Sequence, residues 1–375
     1  MKQIILIFLC FTFSISTYSS DEDFALKKQI GQMLIVGFRG TSVDHTSYIT
    51  ETIKELNLGG VVLFDYDVPN KSFSRNIIDP EQVKKLCLSL QSVSSVPLII
   101  AVDAEGGMIN RLKPKYGFLD VPSHQNLGKI NNPQYTYSKI IPLAKQLSEL
   151  GINTNFAPVV DLNRNVDNPI IAKKERSFSS DPAIVIAQSE AFIKAHHDNN
   201  VLTAIKHFPG HGSSSGDTHI GLTDVTATYD TVELEPFEIL TKKGFIDMIM
   251  TSHIINKNFD TDYPVTLSDY YIKNLIRKRM HYDGVVISDD MQMGAITEHY
   301  SFKNAIIRAI KAGCDMLIIS NNGKIYDEKA PYKAVDIIYE ALKNGTLSEE
   351  CVKESLNRIK KLKKRTIKTE GSGLL

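Results

Sequence analysis

Residues 204–222 read AIKHFPGHGSSSGDTHIGL, an apolar run that dissolves into glycine and serine and carries Lys206, His207, His211, Asp217 and His219. A loop that only connects two elements has little use for so many proton-transferring side chains. Three kinds of chemistry use such a set: metal ligation, acid/base catalysis, or hydrogen bonding to a polyol. The spacing of His207, His211, Asp217 and His219 matches no standard zinc pattern, so a metal-dependent hydrolase is an alternative without a motif behind it. Asp217 and His219 stand two apart on an irregular segment, where their side chains can meet and the aspartate can fix the imidazole's tautomer. A proton donor of that kind needs a second group. The stretch VVISDDMQMGAI (285–296) offers it, with Asp289 and Asp290 at the end of an apolar run. A carboxylate held there can act as a nucleophile or stabilise a cation developing at a sugar's anomeric carbon.

The elements that must position these groups recur along the chain. Eight short apolar runs are QMLIVGF (32–38), GGVVLF (59–64), VPLIIAVD (96–103), NTNFAPVVD (153–161), LTAIKH (202–207), FIDMIMTSH (245–253), GVVISDD (284–290) and CDMLIIS (314–320). Most are continuous in hydrophobicity rather than alternating, as strands buried on both faces are. Helix-like stretches lie between them, among them 79–93, 135–150, 181–199 and 301–313, and several begin at Ser or Asp as N-caps do. Eight strand–helix units predict a single-domain α/β fold, a (β/α)8 TIM-type barrel, rather than a doubly wound sheet; no G-x-G-x-x-G follows the first strand. Such a barrel builds its active site at the C-terminal ends of its strands. Asp103, Asp161, Lys206, His207, His253, Asp289 and Asp290 all stand where an apolar run stops. One strand-end Asp can simply cap a helix. Polar ends on five strands point to a shared mouth.

Composition narrows the partners. Lys plus Arg and Asp plus Glu balance at 43 each, which gives no broad positive field for nucleic acid and favours a small neutral ligand. Lys2, the apolar run from Ile4 to Ile15 and the small residues of Thr17-Tyr18-Ser19 predict a secretory signal peptide over residues 1–19, with an exported mature protein that is not inserted in the membrane. The run is shorter than the ~20 apolar residues of a spanning helix. Cys10 follows Leu9, which makes a poor lipoprotein site; Cys87, Cys314 and Cys351 remain, an odd number without a CxxC spacing, so no disulfide framework is expected. The body, residues 20–365, reads as one catalytic domain, and 366–375 as a frayed tail.

KHFPGHG (206–212), the D-x-H at 217–219, ISDDM, DAEGG with Arg111 eight residues beyond its Asp, and FAPVVDLN followed by ERSF occur together and in order. In this the chain resembles the single-domain β-N-acetylhexosaminidases of glycoside hydrolase family 3. The D-x-H loop is similar to the N-acetylglucosaminidase branch rather than to the β-glucosidases, which lack that histidine. Carried over position by position, the resemblance implies Asp289 as nucleophile, His219 as general acid/base and Asp217 as its partner. It implies Asp103, Arg111, Arg176, Lys206 and His207 as the residues that bind a non-reducing N-acetylglucosamine, with no metal and no cofactor. The substrate implied is a small carbohydrate, a peptidoglycan fragment or a chitin-type oligosaccharide, cleaved by a monomer through a glycosyl-enzyme. Phosphorolysis and sugar binding without catalysis are alternatives. Asp290 rivals Asp289, Lys206 has a second possible partner in Asp161, and His211 reads as a loop-structuring residue. Ser213 to Gly216 are expected to make the loop mobile. Two departures from the family pattern stand out: Met108 replaces the Arg often found after EGG, and one-domain relatives in Gram-negative bacteria are typically cytoplasmic, whereas this chain carries a leader.

Overall fold

A computed structural model describes residues 15–366, with only the backbone given for 15–20. The predicted leader therefore falls outside the described residues except for the start of the helix Ile15–Gly31, and the predicted tail falls outside it apart from Thr366. No helix among the described residues is long and apolar enough to cross a membrane.

All eight apolar runs become strands of one closed parallel barrel: β1 Leu34–Gly37, β2 Gly60–Leu63, β3 Ile99–Val102, β4 Thr154–Asn155, β5 Leu202–Phe208, β6 Met248–Thr251, β7 Val285–Asp290 and β8 Met316–Ile319. Each pairs with its neighbours in sequence, and Leu34 opposite Leu317 closes the ring between β1 and β8. Every residue of β1, β2, β3, β6 and β8 is buried, because one face of each strand fills the barrel and the other meets the helices. That double burial is why the runs do not alternate.

The helices begin where the sequence places caps. Asp79 accepts from the amide of Gln82, Asp181 from that of Ala183 and Ser301 from that of Asn304. Each such cap satisfies an orphan donor of the first turn and is worth about 1 kcal/mol. The helix expected from 135 starts at Pro133, capped by Asn132, since proline suits the first helical position.

Two features differ from the sequence reading. The fourth run supplies only Thr154–Asn155 to the barrel wall: Pro158 has no N–H to offer a ladder, and beyond it only Val159 bridges to Lys206. In addition, two β-hairpins follow β2 and β3 directly. Tyr66–Asp67 pairs with Ser72–Phe73, and Ala104–Gly106 with Ile109–Asn110. They stand at the C-terminal ends of their strands and wall the barrel mouth.

Candidate active site

The mouth opens into a cleft lined by residues from most of the strands, Asp103, Arg111, Arg176, Lys206, His207, His219 and Asp289 among them. Its floor is a buried charge network. Lys206 Nζ lies 2.7 Å from Asp103 Oδ1 and 2.7 Å from Glu105 Oε1, so the ammonium is shared between two carboxylates. Glu105 is 1% exposed and takes both guanidinium arms of Arg176, Nε and Nη2, at 2.8 Å each. Burial works against a charge on Glu105, but Arg176 and Lys206 outweigh it and hold the carboxyl far below the usual range. Arg111 sits looser above, 3.7 Å from Asp103 and 3.8 Å from Asp65, with its side chain one-third exposed. A neutral sugar hydroxyl placed here meets fixed acceptors and fixed donors together.

His207 Nδ1 lies 2.7 Å from Asp161 Oδ2, and its Nε2 lies 3.2 Å from Nη2 of Arg176. A guanidinium only donates, so Nε2 accepts and the proton sits on Nδ1, facing Asp161. Asp161 Oδ1 also accepts from the amides of His207 and His211, at 3.1 and 2.8 Å. Asp161 is thus the partner of His207. Lys206 takes Asp103 and Glu105 instead, which settles the choice left open by the sequence.

At the end of β7 the two adjacent aspartates part ways. Asp290 is tied to β8, its Oδ2 accepting from Ser320 Oγ at 2.6 Å and its Oδ1 from the Ser320 amide at 3.0 Å. Asp289 accepts only the amide of Asp290, at 2.7 Å, and faces the cleft. Burial opposes its charge, yet His253, His207 and His219 together hold it below the ordinary carboxylate range. His253 is kept in place by the carbonyl of Asp290, 2.9 Å from its Nε2, which therefore carries a proton.

The loop after β5 brings Asp217 and His219 over this carboxylate. His219 Nδ1 is 2.7 Å from Asp217 Oδ1, which also accepts the His219 amide at 2.9 Å. The hydrogen bond that the ring donates to Asp217 raises the imidazole above its ordinary value; burial opposes this and the charge of Asp289 adds to it. The side chain of His219 remains 64% exposed, open to a leaving group and to water. Both ends of the loop are fastened. At its base Glu233 accepts the amides of Gly212 and Ser213 at 2.8 and 3.3 Å; near its tip the carbonyls of Thr218 and His219 accept the amides of Ala295 and Gly294. Gly212 is required at that base, since a Cβ there would stand 1.6 Å from the carbonyl oxygen of Leu162. His211 is buried against Ser214, its Nδ1 at 2.7 Å, in keeping with a loop-structuring part.

The structure therefore brings every sequence-predicted site residue to one cleft or to its rim. It does not gather His207, His211, Asp217 and His219 into a ligand set: each ring is directed at a different partner, and among the described residues no three His, Cys, Asp or Glu side chains converge as a metal requires. Sequence reasoning missed Glu105, although it stands two residues after Asp103 in DAEGG, and it missed Glu233. Burial pushes the Glu233 carboxyl up to about 7. Nothing local in ELEPF marks it as the anchor of a loop twenty residues away.

The chain is similar to known proteins along most of its length. The glycosyl hydrolase family 3 N terminal domain matches residues 25–362. Beta-hexosaminidase A of Pseudoalteromonas piscicida is 32% identical over 336 residues, 84% of this chain and 54% of that protein. The beta-hexosaminidase of Idiomarina loihiensis is 32% identical over 257 residues, 67% of this chain and 75% of its own length. Among solved structures, a glycoside hydrolase family 3 beta-N-acetylglucosaminidase from a Paenibacillus species superposes with a TM-score of 0.83 at 31% identity, covering 93% of this chain and 64% of that one. This chain thus spans about half the length of the first of these relatives. With the family domain matched along nearly the whole barrel and its motifs meeting in one cleft, the chain belongs to glycosyl hydrolase family 3.

Proposed function

We propose that the protein is a retaining exo-β-N-acetylglucosaminidase that removes a terminal, non-reducing β-linked N-acetylglucosamine from a small glycan. One observation carries this reading: an ionised carboxylate and a histidine–aspartate pair face the same cleft, above a floor of buried charge suited to sugar hydroxyls. In the first step Asp289 Oδ attacks the anomeric carbon while the protonated His219 gives its proton to the departing glycosidic oxygen. The C–O bond to the leaving group breaks as the glycosyl ester forms. In the second step neutral His219 takes a proton from water, whose oxygen attacks the anomeric carbon and releases Asp289. The common pairing in such enzymes is two carboxylates. Here an imidazole replaces one of them, and Asp217 stabilises its charged form. The relatives named beta-hexosaminidase and beta-N-acetylglucosaminidase support the same reading.

The test is turnover of chromogenic β-N-acetylglucosaminide beside β-glucoside and β-N-acetylgalactosaminide. Preference for the first is expected, and preference for β-glucoside would overturn the reading. Product analysis with and without phosphate separates hydrolysis from phosphorolysis. We further propose that the protein is a monomer; the apolar leader supports its export, with a mature chain that begins near Asp21. N-terminal sequencing from the native host checks this, and an intact Met1 on a cytoplasmic protein would contradict it.

A further inference from the structure

The cleft is lined by two kinds of side chain. Charged groups, Asp103, Arg111, Arg176, Lys206 and His207, share it with Phe64 at the end of β2, Tyr66 and Val68 of the hairpin that follows, and Asn322 of the loop after β8. The hairpin carries apolar surface from the cleft, where Tyr66 and Val68 line it, out to its edge: Val68 is 47% exposed and Phe73 55%, the Phe73 ring meets that of Tyr66 at 5.0 Å between centroids, and Lys115 Nζ stands 4.2 Å from the Phe73 centroid. Neighbouring aromatic and aliphatic side chains continuous with a binding cleft offer a surface that a ligand can cover.

The hairpin is also built to stay still. Asp67 is buried and takes Arg39 through two bonds, 2.6 and 2.9 Å, with Arg75 at 3.4 Å. Asn322 closes the other side, its Oδ1 accepting the Val68 amide at 2.9 Å and Arg75 Nη1 at 2.7 Å, its Nδ2 donating to the Tyr66 carbonyl at 3.0 Å. Arg75 reaches on to the carbonyls of Ser320 and Asn321, at 3.3 and 2.9 Å, and Ser320 holds Asp290 beside the nucleophile. Charged groups are thus spent on bolting a small apolar platform to the same frame that fixes Asp289. A loop needing only to connect β2 to its helix requires none of this.

We infer that the hairpin Tyr66–Phe73 is the leaving-group subsite, whose Tyr66, Val68 and Phe73 side chains cover the apolar face of the sugar on the far side of the scissile bond. The inference rests on the exo-glycosidase reading above and adds where the second sugar lies and which residues select it. An N-acetylglucosamine disaccharide reaches the platform. A β-N-acetylglucosaminyl fluoride, whose leaving group is one atom, does not. Contacts to a remote part of a substrate act on the transition state only for substrates that possess that part.

The experiment compares kcat/KM for the disaccharide and for the fluoride in the wild-type protein and in Phe73→Ala, Phe73→Trp and Tyr66→Ala. Phe73 is exposed, so its variants retain the fold. Phe73→Ala is expected to lose about tenfold on the disaccharide, the scale of one aromatic contact, and far less on the fluoride. Tyr66→Ala shows the same bias, and Phe73→Trp restores the wild-type ratio. Equal losses on both compounds would overturn the subsite, because the hairpin would then shape only the first sugar's site or the fold. A wild-type protein that cleaves neither compound would overturn the exo-glycosidase reading itself.

Discussion

The backbone amide of Asp290 donates a 2.7 Å hydrogen bond to Oδ1 of Asp289, while the carboxylate of Asp290 turns away to Ser320. Two neighbouring acids of the same type thereby have separate tasks. Replacing Asp289 with Ala removes the group proposed to form the glycosyl ester and is expected to abolish turnover with the fold intact. Asp290→Ala loosens the contact with β8 and lowers activity without abolishing it. Rates on a chromogenic substrate, beside circular dichroism of each variant, check the pair. The opposite order of effects would move the nucleophile by one residue.

Glu105 holds two cations at once, Arg176 and Lys206, which makes it a stability residue. In Glu105→Ala the guanidinium of Arg176 and the ammonium of Lys206 stay buried with one counter-charge fewer, a loss of about 3–5 kcal/mol for a broken buried pair. Because Glu105 is held below the ordinary carboxylate value of 4.5, its contribution is fully present above that value and disappears only as pH falls through the depressed one. The gap in urea midpoint between variant and parent should therefore be constant from about pH 5 to pH 8. A midpoint unchanged at neutral pH would show that Asp103 alone suffices as the counter-charge.

Much of this was legible in the sequence because the barrel's physics is local in each strand. Double burial makes a continuous apolar run, and the polar residue that ends it, such as Asp103 or Asp289, marks the mouth. The fourth run was overdrawn because its apolar content hid the missing N–H of Pro158. The hairpin Tyr66–Phe73 was not read because its strands are two residues long, and Pro, Asn and Lys between them break any period-2 pattern. Residue types in the site could be named from their motifs, but their pairings could not. Lys206 meets Glu105, and not Asp161, only because β3 and β5 converge on one mouth after the barrel closes.

In the proposed mechanism Asp217 sets the pH range of the first step. Catalysis there needs Asp289 ionised and His219 protonated, and the two groups are displaced in opposite directions, the carboxyl down and the imidazole up. The pH profile of kcat/KM should therefore hold a plateau between them and fall on the alkaline side as His219 loses its proton, above the ordinary value of about 6.5. Asp217→Asn removes the charge that favours the imidazolium, so the alkaline limb should move to lower pH while the acid limb stays. An alkaline limb that does not move would mean that Asp217 only shapes the loop.

The exposed imidazole of His219 makes a further expectation, since a general acid matters in proportion to how poor the leaving group is. With a natural disaccharide, His219→Ala should lose ~10²- to 10⁴-fold, because the departing sugar oxygen has no other proton source. An activated aryl glycoside sheds its phenolate unaided, so the first step should suffer far less and glycosyl-enzyme should accumulate for want of a base in the second. Azide needs no deprotonation; added to this variant it should restore turnover and give a β-glycosyl azide, the configuration that two successive displacements leave. Asp217→Ala should follow the same pattern more weakly, since it misorients the ring without removing it. Equal losses on both substrates with no response to azide would mean that His219 binds sugar rather than moving protons. The acid/base would then have to be found among the other imidazoles near Asp289, with His207 the first to replace, because it lines the same cleft.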